Sequence, residues 1–75
     1  MFNRLIFSER FLACRKMLAM SQTDLANYLG VGKSAISMIE GGKRAPSIEV
    51  LCAVSALFHV STDYLCGLSD DPTRR

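Results

Sequence analysis

The chain has 75 residues, of which 49% are hydrophobic and 21% charged, and its formal net charge is +2. A chain of this length forms one small domain near the lower limit for a self-sufficient core, and its apolar content excludes an intrinsically disordered protein. The slight positive charge permits a nucleic-acid partner without requiring one.

Three cysteines, Cys14, Cys52 and Cys66, occur without any C-x-x-C spacing. Neither a disulfide framework nor a zinc finger is therefore predicted, and we expect no metal and no cofactor. The simplest interpretation is three free thiols that act as small buried hydrophobes; a redox sensor and an intersubunit disulfide stay open as alternatives. We find no signal peptide and no apolar run near the roughly 18 residues that span a bilayer, so we expect a cytoplasmic location and no membrane contact.

The chain begins with an unusually apolar segment, MFNRLIF at residues 1–7, which we expect to pack on the domain. Ser8 is then a candidate N-cap for a first helix at about 9–18. In that helix Phe11, Arg15 and Leu18 fall on one face at helical spacing, although an arginine is unusual in such a stripe.

The stretch SQTDLANYLG predicts a second helix at about 22–29. Ser21 is its N-cap, and Asp24 completes a capping box that also suits the positive end of the helix dipole. Leu25, Ala26 and Leu29 form the apolar face. Gly30 stands where a helix most easily turns into a left-handed residue.

Helical periodicity resumes after Gly32 and predicts a third helix that Gly41 and Gly42 end. Ile36 and Ile39, together with Ala35, face inward in this pattern. The outward positions are those of Lys33, Ser34, Ser37 and Met38. Two helices of about two turns each are not stable alone in water, so both must pack on other helices.

Pro46 and the N-cap Ser47 predict a fourth helix at about 48–58, IEVLCAVSALF, in which nine of the eleven residues are apolar. A helix that is hydrophobic all round is buried all round, so we expect either residues 1–7 or a second copy of the chain to cover it. Ser61 then caps a short last helix at about 62–66 that Gly67 ends. His59 is predicted to be a surface or capping residue, and residues 69–75 a loose polar tail.

Three blocks of this sequence, SQTDLANYLGV, AISMIEGGKRAPS and HVSTDYLCG, resemble successive blocks of the phage-repressor and Cro-like (XRE) helix-turn-helix family. The resemblance covers about residues 7–68. It implies an all-α, five-helix, lambda-repressor-like DNA-binding domain over residues 1–68. Family spacing also assigns to the core a set of four residues of the fourth helix, Ile48, Leu51, Val54 and Phe58.

The resemblance further implies that Arg15 pairs with Glu40 in a partly buried ion pair that orients the first helix against the third. Two positions depart from the family pattern. Ala19 stands where the family usually has glycine, and because a left-handed alanine costs about 1 kcal/mol, the first helix can end in a different shape. Gly32 stands where a serine or threonine commonly caps the third helix.

In helix-turn-helix proteins the second helix of the motif enters the major groove, where each base pair shows a distinct pattern of donors, acceptors and methyl groups. The family likeness therefore assigns base contacts to Lys33, Ser34, Ser37 and Met38, with Met38 limited to apolar contact. It assigns phosphate contacts to Gln22, Lys43, Arg44 and the backbone near Ser47. From spacing alone, the four outward residues are equally consistent with base contacts and with an ordinary solvated helix face.

The leading hypothesis is a dimeric, sequence-specific transcription regulator, most simply a repressor that occupies a two-fold operator in double-stranded DNA. Its homodimer interface is predicted from the surplus apolar residues Leu57, Tyr64, Leu65 and Leu68. The alternative is an antitoxin-type interaction module whose fourth helix binds a toxin. An enzyme is rejected, because the chain has one histidine, no Ser/His/Asp set, no phosphate loop and no metal-ligand spacing.

Overall fold

The computed structural model describes residues 1–73, which form five α-helices and no strand. The helices are α1 (Arg4–Met17), α2 (Gln22–Leu29), α3 (Lys33–Glu40), α4 (Ile48–Phe58) and α5 (Thr62–Leu65). The predicted all-α fold with five helices is confirmed, and α2 and α4 have the bounds predicted for them. Within this part of the chain no helix has the length and apolarity needed to cross a membrane.

The first helix begins five residues earlier than predicted. Asn3, not Ser8, is its N-cap, and the Asn3 side chain accepts hydrogen bonds from the backbone N–H groups of Leu5 and Ile6 at 3.1 and 3.0 Å. Ser8 is buried inside α1, where its hydroxyl donates to the Leu5 carbonyl. Leu18 is exposed at the end of α1 and does not extend the buried stripe. Asparagine caps a helix as well as serine does. The N-cap of α1 therefore lies within the apolar segment.

One core holds the five helices together. Phe7 and Phe11 of α1 lie 5.6 Å apart between ring centroids, and Phe11 meets Phe58 of α4 edge to face at 5.8 Å. Helix α1 packs against α3, α4 and α5, while α2 packs on α3. The side chains that are fully buried come from all five helices: Phe7, Phe11, Leu25, Ile36, Val54 and Leu65.

The apolar N-terminal segment packs on the domain through only part of its length. Phe7 enters the core, and the Asn3 backbone N–H donates to the Cys66 carbonyl at 2.9 Å. Gly67 makes this approach possible: its φ is 81°, and a Cβ there would lie 3.1 Å from Asn3 and 3.2 Å from Ile6. Residues 1–7 therefore lie against the end of α5.

Helix α4 is buried on one face only. Val54 and Phe58 lie in the core as predicted, but Ile48 is 80% exposed and Val50 is buried in its place. Cys52 and Ala56 are also exposed in the single chain, so the idea that residues 1–7 cover α4 was wrong, while its burial by a second copy stays a prediction. The physical reason is that α4 lies at the edge of the domain, where α1 and α5 cover only its inner side.

The three cysteine thiols also differ in how deeply they are buried. Cys66 is buried and Cys14 half-buried, and burial raises the pKa of both thiols, with the charge of Asp63 adding to the effect at Cys66. Cys52 is exposed, so the interpretation of three buried thiols was wrong for this one.

Residues 69–73 fold back on the domain. The Ser61 backbone N–H donates to the Pro72 carbonyl at 3.0 Å. Arg10 of α1 donates to the carbonyls of Tyr64 and Ser69 and to the carboxylate of Asp70, the last at 3.0 Å. The loose tail that we predicted for residues 69–75 is therefore wrong for residues 69–73; Arg74 and Arg75 lie outside the described residues.

Candidate nucleic-acid interface

The turn between α2 and α3 is built by local hydrogen bonds. The Asp24 backbone N–H donates to the Ser21 hydroxyl oxygen at 2.9 Å, and the Ser21 N–H donates to the Asp24 carboxylate at 3.0 Å. Hydrogen bonds from the Ser21 backbone and from its hydroxyl lower the pKa of the Asp24 carboxyl. Gly30, with φ of 70°, ends α2, and the Val31 N–H returns to the Ala26 carbonyl. The chain thus reverses sharply and begins α3 at Lys33.

Helix α3 has a buried face and a solvent face. Ile36 and Ile39 are buried and attach the helix to the core. Gly32, the N-cap residue, supplies no side-chain hydrogen bond to the first turn of the helix. The four residues predicted to contact bases are all exposed on the opposite side, Met38 by 43%: Lys33, Ser34, Ser37 and Met38.

A carboxylate at the end of α3 joins three helices. Glu40 accepts from Arg15 of α1 at 2.5 and 3.1 Å and from the side-chain amide of Gln22 of α2 at 2.9 Å. Arg15 also donates to the Met20 carbonyl at 2.8 Å. The side chains of Arg15 and Glu40 are only 12% and 7% exposed. The ion pair implied by the family likeness is thus present as a bidentate contact that sets α1, α2 and α3 relative to one another.

The bond between Gln22 and Glu40 is one that sequence reasoning missed. Gln22 is half-buried at the first position of α2, and one of its two amide hydrogens is directed at Glu40. A side-chain amide has a second N–H, which is chemically free to donate to a phosphate oxygen. Gln22 and Glu40 are 18 positions apart in the sequence, and no periodic signal would have revealed their contact.

The basic loop after α3 is tied to the helix that precedes it. The Lys43 N–H donates to the Met38 carbonyl at 2.9 Å. Gly42 has φ of 71° and lies against Leu5, whose Cδ2 would be 2.9 Å from a Cβ at that glycine. Lys43 and Arg44 are both exposed in this loop, and the exposed Ser47 that follows uses its hydroxyl to cap α4 through the Val50 N–H. Lys43 and Arg44, which are predicted to contact phosphates, therefore lie next to the end of α3.

The four residues predicted for a homodimer interface differ in their burial within the single chain. Leu65 is fully buried in the core of the single chain, so its assignment to an interface was wrong. Leu57 is half-buried against the core, and Tyr64 lies under the Arg10 guanidinium, 4.0 Å from the ring centroid. Only Leu68, 53% exposed, is freely accessible. A surplus of apolar residues in the sequence did not distinguish the core from a surface.

Comparison with known proteins agrees with this geometry. A family model described as helix-turn-helix matches residues 12–65, which include all of α2, α3 and α4. The chain belongs to the XRE-type helix-turn-helix family. The matched segment contains each of the residues assigned above to bases or phosphates.

Relatives within this helix-turn-helix family include regulators and a phage repressor. The chain is 31% identical over 67 residues to the uncharacterized HTH-type transcriptional regulator YobD of Bacillus subtilis, a match that covers 89% of this chain and 60% of YobD. It is 37% identical over 60 residues to the regulator YqaE of the same organism, covering 80% and 52%. It is 38% identical over 63 residues to repressor protein C2 of Salmonella phage P22, covering 84% and 29%. The chain thus spans about half the length of the curated Bacillus relatives it matches.

Proposed function

We propose that the chain binds double-stranded DNA sequence-specifically through α3 and represses transcription by occupying an operator. The observation that carries this proposal is the outward row on α3, which consists of Lys33, Ser34, Ser37 and Met38. Ile36 and Ile39 hold the helix on the core behind this row, and a basic loop follows the helix. A helix about 10–12 Å across fits the major groove of B-form DNA.

The chemistry of the row assigns a role to each position. Lys33, in the first turn of α3, donates to guanine O6 or N7, and Ser34 either donates or accepts. Ser37 lies one turn further along, beside Met38, which offers an apolar contact such as a thymine methyl. One well-formed base contact is worth about 1–3 kcal/mol of discrimination.

Phosphate contacts supply most of the affinity in this proposal. Lys43 and Arg44 provide charge, while Gln22 and the backbone near Ser47 provide uncharged donors. Roughly three to five phosphates per copy give weak binding, so two copies on a two-fold site are expected. Occupation of an operator then excludes the polymerase, a role that the similarity to repressor protein C2 of Salmonella phage P22 supports.

Selection of bound duplexes from a random pool, followed by fluorescence anisotropy at two salt concentrations, tests the proposal. We expect a symmetric selected sequence, tighter binding to it than to a scrambled duplex, and affinity that falls as salt rises. Absence of binding to every duplex at low salt would refute the proposal.

Two exposed lysines provide matched variants for the same titration. Lys43→Gln should weaken binding to all duplexes alike and reduce the slope of log K against log salt by about 1 per copy. Lys33→Gln should instead relax the preference at one base position. Identical behaviour of the two variants would contradict the assignment of α3 as the reading element.

A further inference from the structure

A hydrogen bond inside the domain fixes a side chain that is proposed to contact DNA. The side-chain amide of Gln22, on α2, donates to Glu40 Oε1, on α3, at 2.9 Å. We infer that Glu40 is a positioning residue for DNA binding, which holds the Gln22 amide in the orientation that contacts a phosphate oxygen. This inference rests on the proposed function and adds how one of its phosphate contacts is oriented.

The charge of Glu40 decides which way the Gln22 amide is turned. An ionised carboxylate only accepts hydrogen bonds, so the nitrogen of the amide, and not its oxygen, must face Glu40. That nitrogen carries a second N–H, and within residues 1–73 the Gln22 amide forms no other hydrogen bond. Gln22 is half-buried, so part of its side chain remains accessible to a partner. A phosphate oxygen, which also only accepts, is a suitable partner for the second N–H.

Arg15 makes the Glu40 carboxylate compatible with a nearby phosphate. An uncompensated carboxylate beside Gln22 would repel the anionic backbone of DNA. The Arg15 guanidinium donates to both carboxylate oxygens of Glu40, at 2.5 and 3.1 Å, and only 7% of the Glu40 side chain is exposed. The ion pair is therefore close to neutral as seen from the duplex, while Glu40 keeps its capacity to accept from Gln22.

Glu40 also relates this phosphate contact to the helix that reads the bases. It is the last residue of α3, the helix that begins at Lys33 and carries the proposed base contacts. The bond from Gln22 thus places the amide relative to α3 before DNA is bound. Because the side chain is already ordered in the free protein, less rotamer entropy is lost when the phosphate is contacted.

Duplexes that carry one neutral methylphosphonate test the phosphate contact. The selected duplex is prepared with this group at one backbone position at a time, and the unsubstituted chain is compared with Gln22→Met. We expect one position at which the neutral group weakens binding of the unsubstituted chain about tenfold, as for a hydrogen bond to a charged acceptor, but hardly affects Gln22→Met. Positions contacted by Lys43 or Arg44 should stay sensitive in both proteins.

Two double variants separate positioning by Glu40 from its contribution to stability. Arg15→Met/Glu40→Gln and Arg15→Met/Glu40→Met both remove the two charges, so neither leaves a buried charge unpaired. Only the first keeps a side-chain oxygen that accepts from Gln22. At a temperature where urea titrations show both variants folded, we expect the first to retain sensitivity at the Gln22 phosphate and the second to lose it.

Nuclear magnetic resonance of the unsubstituted chain tests the same orientation without any change at Glu40. The two side-chain amide protons of Gln22 are assigned in isotope-labelled protein by their absence in Gln22→Met. We expect one of them to resonate downfield already in the free chain, because it is bonded to a carboxylate. The other should move downfield only when the selected duplex is added.

Three results would overturn the role of Glu40. They are a set of sensitive phosphates that is the same in Gln22→Met as in the unsubstituted chain, equal sensitivity of the two folded double variants, and amide protons that both move only after DNA is added. The proposed function stands in each of these cases, because the selected duplex is still bound. Failure of the unsubstituted chain to bind any duplex would instead refute the proposed function.

Discussion

Ala19 adopts a backbone conformation that its side chain disfavours. Its φ is 56°, in the left-handed region, and the turn after α1 is closed by hydrogen bonds from the Ala19 N–H to the Lys16 carbonyl and from the Met20 N–H to the Arg15 carbonyl. From the sequence, α1 could have ended in a different shape at this position. In the structure the chain makes the left-handed turn although the residue is alanine. The Arg15 bond to Met20 adds a further contact at this turn.

Replacing Ala19 with glycine should therefore stabilise the protein. Ala19→Gly removes the contact between Cβ and backbone that disfavours the left-handed region, and we expect the free energy of unfolding to rise by about 0.5–1 kcal/mol in urea titrations. The matched control is Ala13→Gly at an exposed position inside α1, which should lower it by about 1 kcal/mol. Destabilisation by both substitutions would show that the conformation at Ala19 costs nothing.

At the scale of the helices, the contact between Arg15 and Glu40 sets the orientation of α3 on α1. Both side chains are largely shielded from water, so the charges must compensate each other. Gln22 brings α2 into the same group through Glu40. Helices α2 and α3 have eight residues each and need such fixed partners, because isolated helices of that length are unstable.

Removing one charge of this pair should cost more than removing both. We expect Arg15→Met to lower the free energy of unfolding by about 3 kcal/mol, because Glu40 is left buried without its counter-charge. The double variant Arg15→Met/Glu40→Gln should recover most of that loss, since a neutral amide can still accept from Gln22. Urea unfolding at neutral pH measures all three proteins. Equal losses in the single and double variants would rule out an uncompensated charge as the cause.

At the scale of the whole molecule, Arg10 connects the two ends of the described chain. Its guanidinium stacks on Tyr64 and donates to carbonyls of Tyr64 and Ser69, which are 54 and 59 residues away in sequence. The segment that follows α5 is thereby held against α1. The bond from the Ser61 N–H to the Pro72 carbonyl continues the same arrangement.

Loss of the Arg10 side chain should release residues 69–73. We expect Arg10→Met to lower the free energy of unfolding by about 1.5–3 kcal/mol, in line with the loss of hydrogen bonds from a charged donor, and to increase hydrogen exchange at the Ser61 amide. Asp70→Asn is the control, since Asp70 is fully exposed and solvent screens its ion pair, so this substitution should change stability much less than Arg10→Met does. If the control lost as much stability as Arg10→Met, the surface ion pair and not the carbonyl contacts would hold this segment.

The sequence by itself determined those features that arise from neighbouring residues. The capping box of Ser21 and Asp24, the left-handed Gly30, the cap at Ser47 and the solvent-facing row of α3 all follow from local hydrogen bonding and helical periodicity. The family likeness added one distant contact, between Arg15 and Glu40, that periodicity does not reveal.

Only the tertiary structure decided which apolar residues lie inside. Ile48 and Leu65 look alike in the sequence, yet one is 80% exposed and the other fully buried, because α4 lies at the edge of the domain while α5 closes on α1. Arg10 likewise has no local signal, since its partners come from the far end of the chain. Burial and long-range hydrogen bonds depend on how helices are placed around a shared core, and in a sequence this apolar the periodicity of one helix does not contain that information.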